Sequence, residues 1–256
     1  MPATRRSRAR IAMLKLLYLQ RRLPRLTRAE FQEHWLEQHP RFARQIPGVL
    51  RYVQYATLLD DPISASLAQA SEGLEPYDGL TAVWFADSAS FAESMAHPIV
   101  EAGMADERHF VDHSRSVALL VEEHVHVEPE APSPIVLVEC LRRPETIDRR
   151  TFGERWLEHS SMGKRAHAAG FLAGYIQNHA FPEGTEGVPL LDAEGTSGEQ
   201  WDGVVTAYFQ SLAIAKELFE SPFAAEEAFA DERSFIDHAK GVYMLTRRHV
   251  AKDLIR

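Results

Sequence analysis

Three groups of residues in this chain have the types and spacing to move protons. His39 falls with Phe31, Trp35, Phe42 and Ile46 at intervals of 4, 4, 3 and 4 residues, the repeat of one helix face. An imidazole in such an apolar stripe titrates near neutrality and shifts readily with burial, so it suits a general acid or base. The bland alternative is a core histidine bonded to backbone. The second group is the block Asp106-Glu-Arg-His-Phe-Val-Asp-His113, which returns as Asp231-Glu-Arg-Ser-Phe-Ile-Asp-His238. In Asp112-His113 and Asp237-His238 a carboxylate stands beside an imidazole, where it could orient the ring and fix its tautomer. Packing alone would have Asp106 and Asp231 cap turns and Asp112 and Asp237 bond backbone amides. The third group lies on strands. Tyr52 and Gln54 share one face while Tyr55 takes the other, and Tyr175, Gln177 and His179 alternate in the same way. A buried tyrosine hydroxyl wants a partner, which a ligand could supply.

Other chemistry finds little footing. His124 and His126 share a strand face, but no third ligand accompanies them and HExxH is absent, so no metal site is expected. The chain has no GxGxxG, no GxxxxGK[ST] and no GxSxG, leaving cofactor-free acid-base chemistry or plain ligand binding.

These residues sit on a duplicated scaffold. Phe31-Gln-Glu-His-Trp35-Leu-Glu lies on Phe152-Gly-Glu-Arg-Trp156-Leu-Glu at an offset of 121; Tyr52-Val-Gln54 lies on Tyr175-Ile-Gln177 at 123. Tyr77-Asp-Gly79 meets Trp201-Asp-Gly203 at 124, and the acidic blocks and His124-Val125 with His249-Val250 meet at 125. An offset that climbs in small steps marks collinear copies with a few short insertions. At the position of His39 the alignment puts Ser160, with His159 one residue early; if the helical histidine is catalytic, the copies are expected not to be equivalent, with either the first alone active or His159 serving from a rotated angle.

Each copy reads as strand, helix, strand, strand, helix, strand. Met13 to Leu19 and Ile135 to Leu141 are short apolar runs. Thr27 with Glu30 forms a capping box, and Asp148 holds the matching place. Pro47-Gly48 and Ala169-Gly170 end the helices. Second strands at Leu50 to Leu58 and Phe171 to Phe181 precede polar stretches, about Leu59 to Pro76 and Pro182 to Gln200, which read as loops. Third strands are expected at Leu80 to Phe85 and Val204 to Phe209, with helical segments after each, and fourth strands at Val117 to Val127 and Gly241 to Val250. The expected domains are a disordered basic tail over 1–11, one ferredoxin-like repeat over 12–127, a proline-rich linker over 128–134 and a second repeat over 135–251. Each unit leaves one sheet face bare. Burying the two faces together predicts an α+β fold, an eight-stranded pseudo-dimeric barrel within one chain.

Composition bounds the function. The 256 residues are 45% hydrophobic and 25% charged, ordinary for a globular chain. A formal net charge of -9 argues against a general nucleic-acid binder. No apolar stretch approaches the roughly 18 residues needed to cross a bilayer, and the basic start lacks a cleavage site. The single cysteine, Cys140, excludes an intrachain disulfide and fits a reducing cytoplasm. The outer faces are left free for a homodimer.

With Trp35-x-x-x-His39, the Pro47-Gly48 step, Tyr52-Val-Gln54 and the Asp-Glu-Arg-x-Phe-x-Asp block in hand, the chain resembles a tandem member of the EthD-like family. The resemblance covers about Leu14 to Val250. It implies the dimeric α+β barrel superfamily and a pocket between sheet and helices. EthD-like proteins include one associated with ether degradation and dehydratases of aromatic polyketide intermediates; the wider superfamily holds cofactor-free monooxygenases, muconolactone isomerases and haem enzymes. The expected function is a cofactor-independent lyase of dehydratase type, or an isomerase, using histidine acid-base catalysis on a hydrophobic oxygenated cyclic or aromatic small molecule in a catabolic or secondary-metabolic pathway. His39, Asp112 and His113 are the expected catalytic residues, and Trp35, Tyr52, Tyr175, His159, Asp237 and His238 the expected substrate contacts. The alternatives are a non-catalytic ligand-binding protein of a degradation pathway, or a monooxygenase or haem protein of the superfamily.

Overall fold

A computed structural model describes residues 13–58, 60–70, 74–181 and 201–255. The basic tail and the second polar stretch, expected at 1–11 and 182–200, lie outside the described residues.

The first half runs β1 (Leu14–Gln20), α1 (Arg28–Glu33), a π-helical turn (His34–Gln38), α2 (Pro40–Ala43), β2 (Val49–Thr57), α3 (Pro62–Ala70), β3 (Gly79–Phe85), α4 (Ser88–Met95), α5 (Pro98–Glu107), a 3₁₀ turn (His113–Arg115) and β4 (Val117–Val127). The second runs β5 (Ile135–Leu141), α6 (Arg149–Ala168), β6 (Gly174–Ala180), β7 (Gly203–Phe209), α7 (Leu212–Phe219), a π-helical turn (Phe223–Ala228), α8 (Phe229–Glu232), a 3₁₀ turn (His238–Lys240) and β8 (Val242–Asp253). Residues 128–134 connect them without helix or strand.

The eight strands close into one antiparallel barrel in the order β1-β3-β2-β8-β5-β7-β6-β4. Each half contributes a sheet of the same internal order, β4-β1-β3-β2 and β8-β5-β7-β6, and the seams are β2 with β8 and β4 with β6. Closure removes every open sheet edge. Strand alternation decides what faces where. On β1, Leu17 and Leu19 join Val53, Val136, Val138, Val204 and Met244 in an interior cluster drawn from both halves, whereas Leu16 and Tyr18 point outward to the helices. Each such aliphatic side chain taken from water contributes about 1.5–3 kcal/mol. The interior holds polar links too. Tyr55 and Tyr208 hydroxyls meet at 2.9 Å, and Lys15 Nζ donates to Glu123 Oε1 at 2.6 Å and to Asn178 Oδ1 at 2.7 Å across the β4/β6 seam.

Local signals explain the helix ends. Thr27 Oγ1 accepts from the Glu30 amide while Glu30 Oε2 accepts from the Thr27 amide, and Asp148 accepts from the Thr151 amide. Gly48 and Gly170 take φ of 76° and 85°, the left-handed conformation expected after each helix.

The polar stretch expected as a loop from Leu59 to Pro76 contains α3. Asp61 Oδ1 caps it by accepting from the Ile63 and Ser64 amides, Pro62 suits a first turn, and Ile63 and Leu67 pack onto the apolar layer of the second half. Small helix formers and two well-placed apolar residues outweigh the polar composition.

Candidate active site

The repeated acidic block supplies the centre of each site through its second residue. In the first half, His39 Nδ1 lies 2.9 Å from Asp106 Oδ2 and its Nε2 3.5 Å from Glu107 Oε1, while His113 Nε2 lies 3.3 Å from Glu107 Oε2. In the second, His159 Nδ1 lies 2.6 Å from Asp231 Oδ2 and its Nε2 3.2 Å from Glu232 Oε1, while His238 Nε2 lies 2.9 Å from Glu232 Oε2. Both halves therefore hold one glutamate between two imidazoles, with an aspartate behind the helical histidine.

This equivalence corrects the expected mismatch at Ser160. The turn from His34 to Gln38 is π-helical, closed by His39 N–H donating to His34 C=O at 3.0 Å, whereas α6 is one continuous α-helix. A π turn absorbs one extra residue. The four-residue step from Trp35 to His39 thus spans the same distance as the three-residue step from Trp156 to His159. Pro40 supplies the cause: in a continuous α-helix its ring would clash with the carbonyl four residues back, and the bulge relieves that clash. Ser160 follows His159 and makes no such demand.

Charge balance follows from the geometry. Burial alone would lower the His39 pKa, but the Glu107 and Asp106 carboxylates outweigh it and the pKa is raised; His159 is raised in the same way by Glu232 and Asp231. Burial opposes ionisation of Glu107, yet His113 and His39 hold its carboxyl below the usual range.

Each array opens onto a cavity between sheet and helices. The first, about 360 Å³, takes His39, Glu107, His113, Tyr18 and Tyr52 as polar lining among side chains such as Phe42, Ile46, Phe85 and Met104. The second, about 550 Å³, takes His159, Glu232, His238, Tyr175, Tyr243 and Glu139. Both volumes suit a small organic ligand. Burial pushes the Tyr18 and Tyr52 hydroxyls up, so both stay protonated and can donate.

A profile of the EthD domain matches residues 23–114 and 144–239. The chain belongs to the EthD family. Among solved structures, an anthrone oxidase-like protein superposes with a TM-score of 0.58 at 8% identity, covering 95% of each chain. A candidate monooxygenase from Lactobacillus acidophilus gives 0.52 at 8% identity over 94% of this chain and 95% of its own. A candidate chlorite dismutase gives 0.52 at 14% identity over 94% and 96%. These likenesses bear on the fold alone. No curated protein matches the chain.

In this EthD chain the expected site residues divide. His39, His113 and Tyr52 line the first cavity and His159, His238 and Tyr175 the second. Trp35 lines neither. It is fully buried beside Phe31, its carbonyl accepts from Gln54 Nε2, and its ring occupies the space a Cβ on Gly79 would need. Asp112 and Asp237 do not orient their neighbouring histidines: Asp112 Oδ1 accepts from Ser114 Oγ at 2.6 Å, and Asp237 Oδ2 faces Lys240 at 3.5 Å. Adjacent residues entering a 3₁₀ turn point apart, so the orienting carboxylate comes instead from Glu107 and Glu232. Among the described residues no three His, Cys, Asp or Glu side chains are placed to hold a metal ion, and no helix is long and apolar enough to cross a membrane.

Sequence reasoning missed Glu107, Glu232, Tyr18 and Glu139. The glutamates carried a signal, since both recur at the same offset inside the block. Tyr18 and Glu139 stand at matching positions of the first strands, where only their outward phase distinguished them.

Proposed function

We propose that this chain is a cofactor-independent proton-transfer enzyme, a lyase of dehydratase type or an isomerase, acting on a hydrophobic oxygenated cyclic small molecule in the first cavity. We read each half as one ferredoxin-like repeat, 12–127 and 135–251, carrying its own site. The observation that carries the proposal is the buried His39–Glu107–His113 array on the wall of an apolar cavity.

His39 spends both ring nitrogens on carboxylates, so it acts as a positioning residue: its charge holds Glu107 ionised and in place. Glu107 faces His113 Nε2, which favours a proton there and leaves Nδ1 to accept one. His113 is the catalytic base of this reading. Tyr18 and Tyr52 donate to the substrate oxygen as charge builds on it. For a cyclic β-hydroxyketone, His113 takes the α proton, the C–O bond at the β carbon breaks, and the imidazolium returns its proton to the departing hydroxide, giving enone and water.

The test uses 3-hydroxy-1-tetralone, whose dehydration yields fluorescent 1-naphthol. Wild-type protein is expected to accelerate it, and His113→Asn to abolish most of the acceleration. Saturable binding without product would make the chain a ligand carrier and overturn the reading.

A further inference from the structure

At one cross-strand pair the two cavities carry different polar groups. In the first, Tyr18 on β1 faces Ala118 on β4; at the matching pair in the second, Glu139 on β5 faces Tyr243 on β8. The tyrosine has crossed to the neighbouring strand, and the position it leaves holds a carboxyl group. That group lines the larger cavity, and no side chain among the described residues hydrogen-bonds to it. Its ionisable surroundings are Glu232 on α8, His159 on α6, His238 on the 3₁₀ turn, Tyr175 on β6 and Tyr243 on β8. The two histidines are committed to Glu232. Ionising Glu139 would thus set a second, unpaired carboxylate beside the first.

We propose that the second cavity is a separate binding site for an uncharged aromatic ketone, with the Glu139 carboxyl donating its hydrogen to the ketone oxygen. Phe209, Phe219, Phe223, Phe229, Leu137 and Leu172 supply flat apolar walls for the rings. The carboxyl is the added polar group aimed at that space, and an acceptor on the ligand satisfies it. Burial and the neighbouring Glu232 raise the Glu139 pKa to about 8, with His159 opposing, so the group is mainly a donor at neutral pH. The site stands independently of the elimination assigned to the first cavity.

The probe is prodan, an uncharged naphthyl ketone whose emission shifts to the red when its carbonyl accepts a hydrogen bond. It is titrated into a Gly103→Phe background, in which the new ring fills the first cavity, with thermal melts confirming the fold. The background is expected to bind prodan with red-shifted emission at pH 7. Glu139→Gln, which keeps a donor, should hold affinity within about twofold and lose its pH dependence. Glu139→Leu should weaken binding about five- to tenfold, the scale of one net hydrogen bond, and shift emission to the blue. Raising the background from pH 7 to 9.5 should mimic Glu139→Leu. No prodan binding, or equal binding and emission in Glu139→Leu, overturns the proposal. So does a Glu139→Gln loss as large as that of Glu139→Leu, which would mark a carboxylate site for a cation. The dehydration assay and its His113→Asn control read the first cavity, so either proposal can fail alone.

Discussion

The helix after the first strand is broken in one half and continuous in the other, and yet it delivers its histidine to the same two carboxylates. His39 arrives through a π turn before Pro40, His159 along an uninterrupted α6. The surrounding partners explain why both routes end alike. Asp106 and Glu107 in one half, Asp231 and Glu232 in the other, close α5 and α8 at matching positions, so the carboxylates fix where an imidazole can sit. The strand opposite is less constrained: Tyr18 and Ala118 trade for Glu139 and Tyr243 without disturbing the array. The centre is shared by the halves, and the cavity wall is where they diverge.

If the first cavity carries the elimination, its sharpest separation from the second is kinetic. His113→Asn should lower 3-hydroxy-1-tetralone turnover by about 10²-fold or more, the scale of a general base, with His238→Asn close to wild type. Initial rates of 1-naphthol formation check this; equal losses in the two variants would place the chemistry in both cavities. His39→Gln should slow turnover and remove the fall of kcat expected as pH rises past the raised pKa of the His39 ring, since the charge of that ring acts through Glu107.

The bulge can be tested by removing it. Deleting Gln38 restores the three-residue spacing of Trp156 to His159 but returns Pro40 to a helix interior, at a cost of about 3 kcal/mol. Adding Pro40→Ser to the deletion should recover most of that loss, and urea unfolding measures both. If the deletion alone is harmless, Pro40 is not what holds the bulge.

Legibility followed physical range. The strands, caps and left-handed glycines depend on neighbours a few residues away, and the apolar runs, Thr27, Asp148, Gly48 and Gly170 announced them. Residues paired across the chain did not announce themselves. Asp112 drew attention because it adjoins His113, whereas Glu107 reaches both His39 and His113 only once α5 lies against the first helix. The apparent loss at Ser160 came from counting residues along an assumed α-helix; the proline beside His39 was the available sign that the count would slip by one.

The halves should respond alike where they share packing. Gly79→Ala and Gly203→Ala each drive a methyl group into a tryptophan ring, Trp35 or Trp156, that has no room to retreat. Overpacking of this kind costs about 1–3 kcal/mol, read as a lowered melting temperature. A much smaller loss at Gly203 would show that the larger second cavity lets Trp156 shift.

Glu139 also gives the second half a pH dependence of stability that Tyr18, at the matching position of the first half, does not supply. Glu139 has a folded pKa of about 8 against an ordinary value of 4.5. Below 4.5 the carboxyl is protonated in folded and unfolded chains alike, and its burial carries no ionisation penalty. Between those values the unfolded chain releases the proton and the folded chain keeps it, so stability falls as pH rises and levels off above about 8. Glu139→Gln cannot ionise and should escape this decline. Its melting temperature should therefore gain on wild type from pH 5 to pH 8, whereas Tyr18→Phe, at the matching position of the first half, should track wild type throughout. His39 and His159, whose raised pKa values also withdraw stability as pH rises past their ordinary value, are present in all three proteins and cancel from the difference. A gap between Glu139→Gln and wild type that stays constant with pH would mean that Glu139 is already ionised in the folded chain, and the contrast between the two cavity walls would then be one of shape without a difference in charge.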